Sequence, residues 1–145
     1  MSVALNLRII TPERIVLERE VDEVSARAID GELTILPNHE PIITALAIDV
    51  LRYRKGILEE TAAVIGGILE VDANEVTVLS DQAELDTEID EARAHRAKNK
   101  AEAEKTLKTD KLDVYIAEMA MSKAIARLKA AELGKRRRGG RHLEQ

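Results

Sequence analysis

Apolar and polar residues alternate from the start of the chain. In VALNLRI, Val3, Leu5, Leu7 and Ile9 fall on one face and Asn6 and Arg8 on the other. A half-buried strand requires this period of two. Six further segments read as strands: RIVLE, EVSARAI, ELTIL, PIITALAIDVLRYR, TAAVIGGILEV and EVTVLS. Turn signals separate them at Thr11-Pro12-Glu13, Asp30-Gly31, Pro37-Asn38, Lys55-Gly56 and Asp72-Ala73-Asn74. Turns roughly every eight to twelve residues predict an all-β sandwich or barrel.

After Leu85 the period changes. TEIDEARAHRAKNKAEAEKTL is dominated by Ala, Glu, Lys and Arg, which are strong helix formers. Thr87 with Asp90 reads as a capping box opening the helix, and Lys108-Thr109-Asp110 ends it. Asp110 with Asp113 caps a second helix, predicted to reach Leu133 and stop at Gly134. Along it, Leu112, Ile116, Met119, Ala126, Ala130 and Leu133 follow a helical period that Lys123 interrupts. Ala117, Met121, Ala124 and Leu128 form a second line. The chain thus divides into a β domain (1–86), a helical hairpin (87–134) and a basic tail (135–145), KRRRGGRHLEQ, expected to be disordered.

The first helix offers mainly alanine for burial: Ala92, Ala97 and Ala101, with Ile89 and Leu107 at the ends. Burial contributes about 0.8 kcal/mol per methylene-sized group, so docking gains only a few kcal/mol. Inverting a two-state equilibrium takes roughly 5.5 kcal/mol. A ligand or partner can therefore overturn the docking of such a hairpin.

Composition narrows the chemistry. The chain has 145 residues, no Phe, no Trp, two Tyr and no Cys. Its core must be aliphatic, and disulfides and thiolate metal sites are excluded. Charges break every apolar run well short of the roughly twenty residues needed to cross a bilayer. The chain opens directly on a strand pattern, so no signal peptide is expected. Charge is uneven: residues 1–85 carry 7 Lys/Arg against 16 Asp/Glu, a balance of −9, and residues 86–145 carry 15 against 11, or +4. The two halves are expected to meet different partners. The scarcity of aromatic rings argues against nucleic acid, whose bases stack on them.

Few residues suggest catalysis. His39, one of three histidines, lies beside Glu40 between Pro37 and Pro41. A metal site needs further ligands at suitable spacing, and His95 and His142 lie in segments of another type. Adjacent residues in extended chain point to opposite sides, which disfavours an acid–base pair with Glu40. The simpler reading is a proline-fixed loop with His39 capping or packing. Gly66-Gly67 lacks both phosphate-loop patterns and marks a bulge or close backbone approach. IDEARA, Ile89 to Ala94, reads as a cap in which Asp90 reaches Arg93, or as a polar cluster for an anion or nucleotide. Lys135–Arg138 reads as a solvated helix end suited to the dipole, or as a surface for an acidic partner. The residues alone thus reach a non-enzymatic β domain with a switchable hairpin, part of an assembly.

GELTILPNHEPII (31–43), then VIGGILEV (64–71), EVTVL (75–79) and IDEARA (89–94), together resemble the ε subunits of F-type ATP synthases, called δ in mitochondria. The resemblance spans about residues 3–133. Asn38 stands where that family often has Gly, and Glu40 where it often has Ala. The resemblance implies an α+β fold: an N-terminal ten-stranded β-sandwich followed by a C-terminal antiparallel helical hairpin. It implies a non-catalytic central-stalk subunit that couples ion-driven rotation to ATP synthesis. The sandwich would bind the γ subunit and rest on the c-ring. The hairpin would permit turnover when folded. When extended along γ it would reach the α and β subunits and inhibit ATP hydrolysis.

Lys123, Arg127 and Lys129 would then face an acidic segment of β. ATP, as a regulatory ligand, would bind Glu84, Ile89, Asp90, Arg93, Ala94, Lys100, Lys123 and Arg127. Lys100 and Lys123 replace family arginines and lose the bidentate fork. No metal and no required cofactor are expected. Membrane association would be indirect, at the cytoplasmic face of a bacterial plasma membrane or at a thylakoid. Two rival readings are a stand-alone ATP-sensing module and a small β-fold enzyme using His39 and Glu40.

Overall fold

Eight strands precede two helices in the computed structural model, which describes residues 3–143, with side chains through residue 137. They are β1 (Leu5–Ile10), β2 (Ile15–Val21), β3 (Glu23–Ala28), β4 (Gly31–Ile35), β5 (Ile42–Lys55), β6 (Leu58–Asp72), β7 (Glu75–Leu79) and β8 (Ala83–Leu85). A single 3₁₀ turn, Asp86–Glu88, leads to α1 (Glu91–Leu107) and α2 (Lys111–Leu143). The strand order is β2-β1-β7-β6-β5-β3-β4, with β8 also on β6. The β1–β7 pair is parallel.

The expected ten strands are corrected to eight. Two strands are long enough to serve both layers of the sandwich. β6 pairs with β8 through Ala62–Val64 and with β7 through Ile68–Asp72. β5 follows β6 in constant register from Ile42↔Val71 to Lys55↔Leu58, skipping only Ala47 opposite Gly66. Gly66 and Gly67, at φ 69° and 111°, let the strand bend there without ending. A Cβ on Gly67 would overlap the Leu79 carbonyl of the next strand. Of the two readings the sequence allows, a bulge or a close backbone approach, the Gly-Gly pair is the close approach, since the register runs through it unshifted. The three-residue β8 was not expected at all; so short a run has no readable period.

Alternation sorts the apolar side chains of β1 as predicted, except Val3, which precedes the strand and is about half exposed. Leu5, Leu7 and Ile9 of β1 are fully buried and meet Val24, Ile35, Leu51, Tyr53, Leu69, Val71, Val76 and Val78 in one aliphatic core. In β5 and β6 the neighbouring positions face outward. Val50 and Ala63 form a second cluster with Ala130 of α2, flanked by Ile89 and Leu133. That cluster seats the hairpin.

The helices differ from expectation at their ends and along one face. Asp90 alone caps α1, accepting from the Arg93 backbone N–H at 3.1 Å; Thr87 lies in the preceding 3₁₀ turn, too far back to form the box. Asp110 caps α2 through the Leu112 N–H at 2.8 Å. The buried alanines of α1 are Ala94 and Ala101, while Ala92 and Ala97 are exposed, as is Leu107. Ala117, Ala124 and Ala131 of α2 are buried as well. Both sets recur every seven residues, two helical turns, so the helices meet along a seam of small side chains. α1 packs on α2, and α2 packs on β5 and β6. At the hairpin tip Leu112, Tyr115 and Ile116 remain exposed.

α2 does not stop at Gly134. It continues to Leu143, so the tail expected to be disordered is helical as far as it is described; the Arg138 side chain and residues 144–145 lie outside the described part. Gly134 is there for space. A Cβ at that position would overlap the Asp86 carboxylate.

Candidate functional site

The hairpin seat gathers polar groups around its small apolar patch. The Thr61 hydroxyl of β6, fully buried, donates to the Ala130 carbonyl at 2.9 Å. One helical turn earlier, Arg127 reaches β8 and its approach. Its Nε lies 3.0 Å from Glu84 Oε1 and an NH2 donates to Gln82 Oε1 at 3.3 Å. On the other flank Lys129 Nζ lies 3.0 Å from Asp49 Oδ1 of β5, and Arg27 approaches the same carboxylate at 3.9 Å.

The residues expected to bind ATP are only partly assembled. Glu84 and Arg127 are paired with each other. Asp90 engages the backbone of Arg93 rather than its side chain, which is exposed, and Ala94 is buried against α2. Ile89 packs on the seat cluster. Lys100 is exposed and Lys123 half-buried; among the described residues neither makes an ion pair. The residues expected to meet the β subunit divide in the same way: Arg127 and Lys129 are held by acids of the sandwich, and Lys123 is free of them.

His39 has a local role. Its Nδ1 lies 2.6 Å from the Glu40 carbonyl, and its backbone N–H donates to Leu36 at 3.2 Å. Among the described residues no three His, Cys, Asp or Glu side chains gather in a metal-binding group. Lys135 and Arg137 are not simply solvated. Lys135 Nζ lies 2.6 Å from Glu91 of α1, and Arg137 lies 2.8 Å from Glu59 of β6.

The sequence did not mark Asp49, Thr61 or Asp86 as contact residues. Asp49 and Thr61 each border the apolar stretch of a long strand, Ala45–Ile48 in β5 and Ala62–Ile65 in β6, and that was the available signal.

A cavity of about 450 Å³ lies elsewhere, lined by Ile10, Thr11, Pro12, Gly67, Ile68, Leu79, Ser80 and Asp81. It shares no residue with the seat. It adjoins an apolar row on the outer face of the sheet. Ile10 pairs with Ile15 and Leu79, Leu79 with Ile68, and Ile68 with Ala45. Ile15, Leu79 and Ile68 are each about half exposed. The neighbouring row, Glu18, Arg8, Thr77 and Glu70, is polar.

Burial holds the Tyr53 hydroxyl well above the usual tyrosine range, and the Glu60 carboxylate reinforces this. Tyr53 donates to Glu60 at 3.1 Å, and Arg19 binds Glu60 at 2.7 Å. This group belongs to the core, not to the seat.

Residues 4–86 match the family model for the β-sandwich domain of the ATP synthase delta/epsilon chain, and residues 87–132 match the model for its long α-helix domain. The chain belongs to the ATP synthase delta/epsilon family. It is 45% identical to the ATP synthase epsilon chain of Desulforamulus reducens over 91% of this chain and 100% of that one. It is 42% identical to the epsilon chain of Herpetosiphon aurantiacus, over 92% and 98%. The fold is also similar to a chain in the mitochondrial ATP synthase of Euglena gracilis. That match has a TM-score of 0.76 at 23% identity and covers 88% of this chain and 81% of that one.

Family membership accounts for the sandwich-plus-helices order and makes the chain an epsilon-type subunit of an F-type ATP synthase. Among the described residues no helix is long and apolar enough to cross a membrane.

Proposed function

We propose that the chain is a rotor subunit, with the sandwich as its fixed platform and the hairpin as its regulatory arm. The sandwich binds γ and rests on the c-ring at the cytoplasmic face of the membrane. The arm inhibits ATP hydrolysis when released toward α and β. The chain performs no catalysis of its own. One observation carries this reading: Arg127 and Lys129 are already neutralised by Glu84 and Asp49 of the sandwich. The same cations cannot serve an acidic partner until α2 lifts away. Docking and inhibition are therefore mutually exclusive. The apolar row Ile15–Ile10–Leu79–Ile68–Ala45 supports γ as the partner of the sheet face, since an exposed apolar patch on a polar surface marks a protein interface.

ATP fits as a ligand of the docked arm. Glu84 of β8 pairs with Arg127 of α2, Asp90 and Arg93 open α1, and Lys100 and Lys123 supply charge without a bidentate fork. Its binding there is weak and regulatory. A stand-alone ATP sensor is disfavoured, because it leaves the apolar row unexplained.

Truncation after residue 86 tests the reading. The truncated chain should still co-purify with γ, and the complex should hydrolyse ATP faster. Unchanged hydrolysis would remove the inhibitory role, and loss of γ would remove the platform role.

A further inference from the structure

Four residues of α2 make one continuous stripe along the sandwich. Arg127, Ala130, Gly134 and Arg137 are spaced by three, four and three residues, a single helical face. Each meets a different part of the β domain or its linker. Arg127 meets Glu84 and Gln82, Ala130 meets Thr61, Gly134 seats on Asp86, and Arg137 binds Glu59. The last two lie beyond residue 132, where the matched helical domain ends. Lys135, between them, binds Glu91 at the start of α1. The stretch after the common domain thus adds two attachments to the platform and one across the hairpin.

We propose that Gly134–Arg137 form a latch that biases this chain toward the docked hairpin. The proposal rests on the reading of the hairpin as a movable arm. Its mechanism is additive. The apolar cluster beneath the common part of α2 is small: Val50, Ala63 and Ala130, with Ile89 and Leu133 at its edge. Against so small a patch, a modest added attachment changes the equilibrium appreciably. Gly134 brings the helix axis close to the linker turn, and that closeness sets Arg137 within reach of Glu59. The Arg137 guanidinium keeps one NH1 buried without a partner, which limits what the pair adds. Each attachment should shift the docking equilibrium about two- to fivefold.

The chain has no cysteine, so two introduced thiols can be spin-labelled cleanly. Glu18→Cys on β2 and Ala103→Cys on α1 are both exposed, and their separation reports docking in the isolated full-length protein. Arg137→Ala, Gly134→Ala and truncation after Leu133 should each raise the undocked fraction, the truncation most. Glu59→Arg should do the same, and Glu59→Arg with Arg137→Glu should restore docking. Unchanged distance distributions in Arg137→Ala and the truncation, with the sandwich amide spectrum intact, would overturn the latch. If these variants undock but the assembled complex hydrolyses ATP at the parent rate, the latch stands and the inhibitory reading falls.

Discussion

Arg127 of the second helix and Glu84 of the last strand face each other at 3.0 Å, both partly shielded from water. This ion pair ties the arm to the platform at the point where the chain passes from strand to helix. Arg127→Ala and Glu84→Gln should each weaken docking by about 0.5–1 kcal/mol. The double variant should cost little more than Arg127→Ala alone, because Glu84→Gln removes an interaction that Arg127→Ala already removes together with the Gln82 bond. Hydrogen exchange across residues 124–133 measures this. The differences should shrink in about 1 M salt, which screens partly exposed charges. Additive effects would show that the pair contributes nothing.

Gly67 should tolerate no side chain. Its φ of 111° and the adjacent Leu79 carbonyl combine backbone strain with overlap against a neighbouring strand. Gly67→Ala should lower sandwich stability by about 3 kcal/mol or more. Gly56 also has positive φ but open space around it, and Gly56→Ala should cost about 1 kcal/mol. Urea midpoints of the two variants give the comparison, and equal losses would refute it.

A charge in the apolar row should weaken assembly without unfolding the sandwich. Ile68→Asp or Leu79→Asp places a carboxylate on the outer face, opposite the core residues of the same strands. Association with γ should fall more than about tenfold, the scale of a central interface residue. Glu18→Gln, in the polar row beside it, is the control and should leave association unchanged. Titration calorimetry with purified γ reads both.

Tyr53 predicts an alkaline limit to stability. Its folded-state pKa is raised, chiefly by burial, so folding favours the neutral hydroxyl. That contribution is fully present below the unfolded value of about 10 and is lost as pH rises above it. In a Tyr115→Phe background, which leaves Tyr53 as the sole tyrosine, urea midpoints should fall steeply above about pH 10. Adding Tyr53→Phe should flatten that fall while costing about 1 kcal/mol at neutral pH for the lost bond to Glu60. An unchanged alkaline slope would refute the assignment.

The alternation in VALNLRI and the turn residues between strands made the platform readable, since a period of two is written residue by residue. The hairpin was readable from its helix-forming composition and the aspartates that cap its two helices. What escaped was set by contacts between distant segments. Gly134 looks like a helix terminator, and only the Asp86 carboxylate 48 positions earlier shows that it makes room. Ala92 and Ala101 are indistinguishable in composition, and the seven-residue seam with α2 decides which is buried. Among the candidate site residues, Glu84 and Arg127 came together, whereas Lys100 and Lys123 did not join them. Long exposed lysines are placed by their partners, and no local pattern fixes them.

The unbroken passage of β5 and β6 through both layers has a mechanical consequence. A twist applied to one face of the platform travels to the other along covalent backbone, without relying on slippage between side chains. Such a body would resist torsion as one piece, with the hairpin joined to it through the small seat around Ala130.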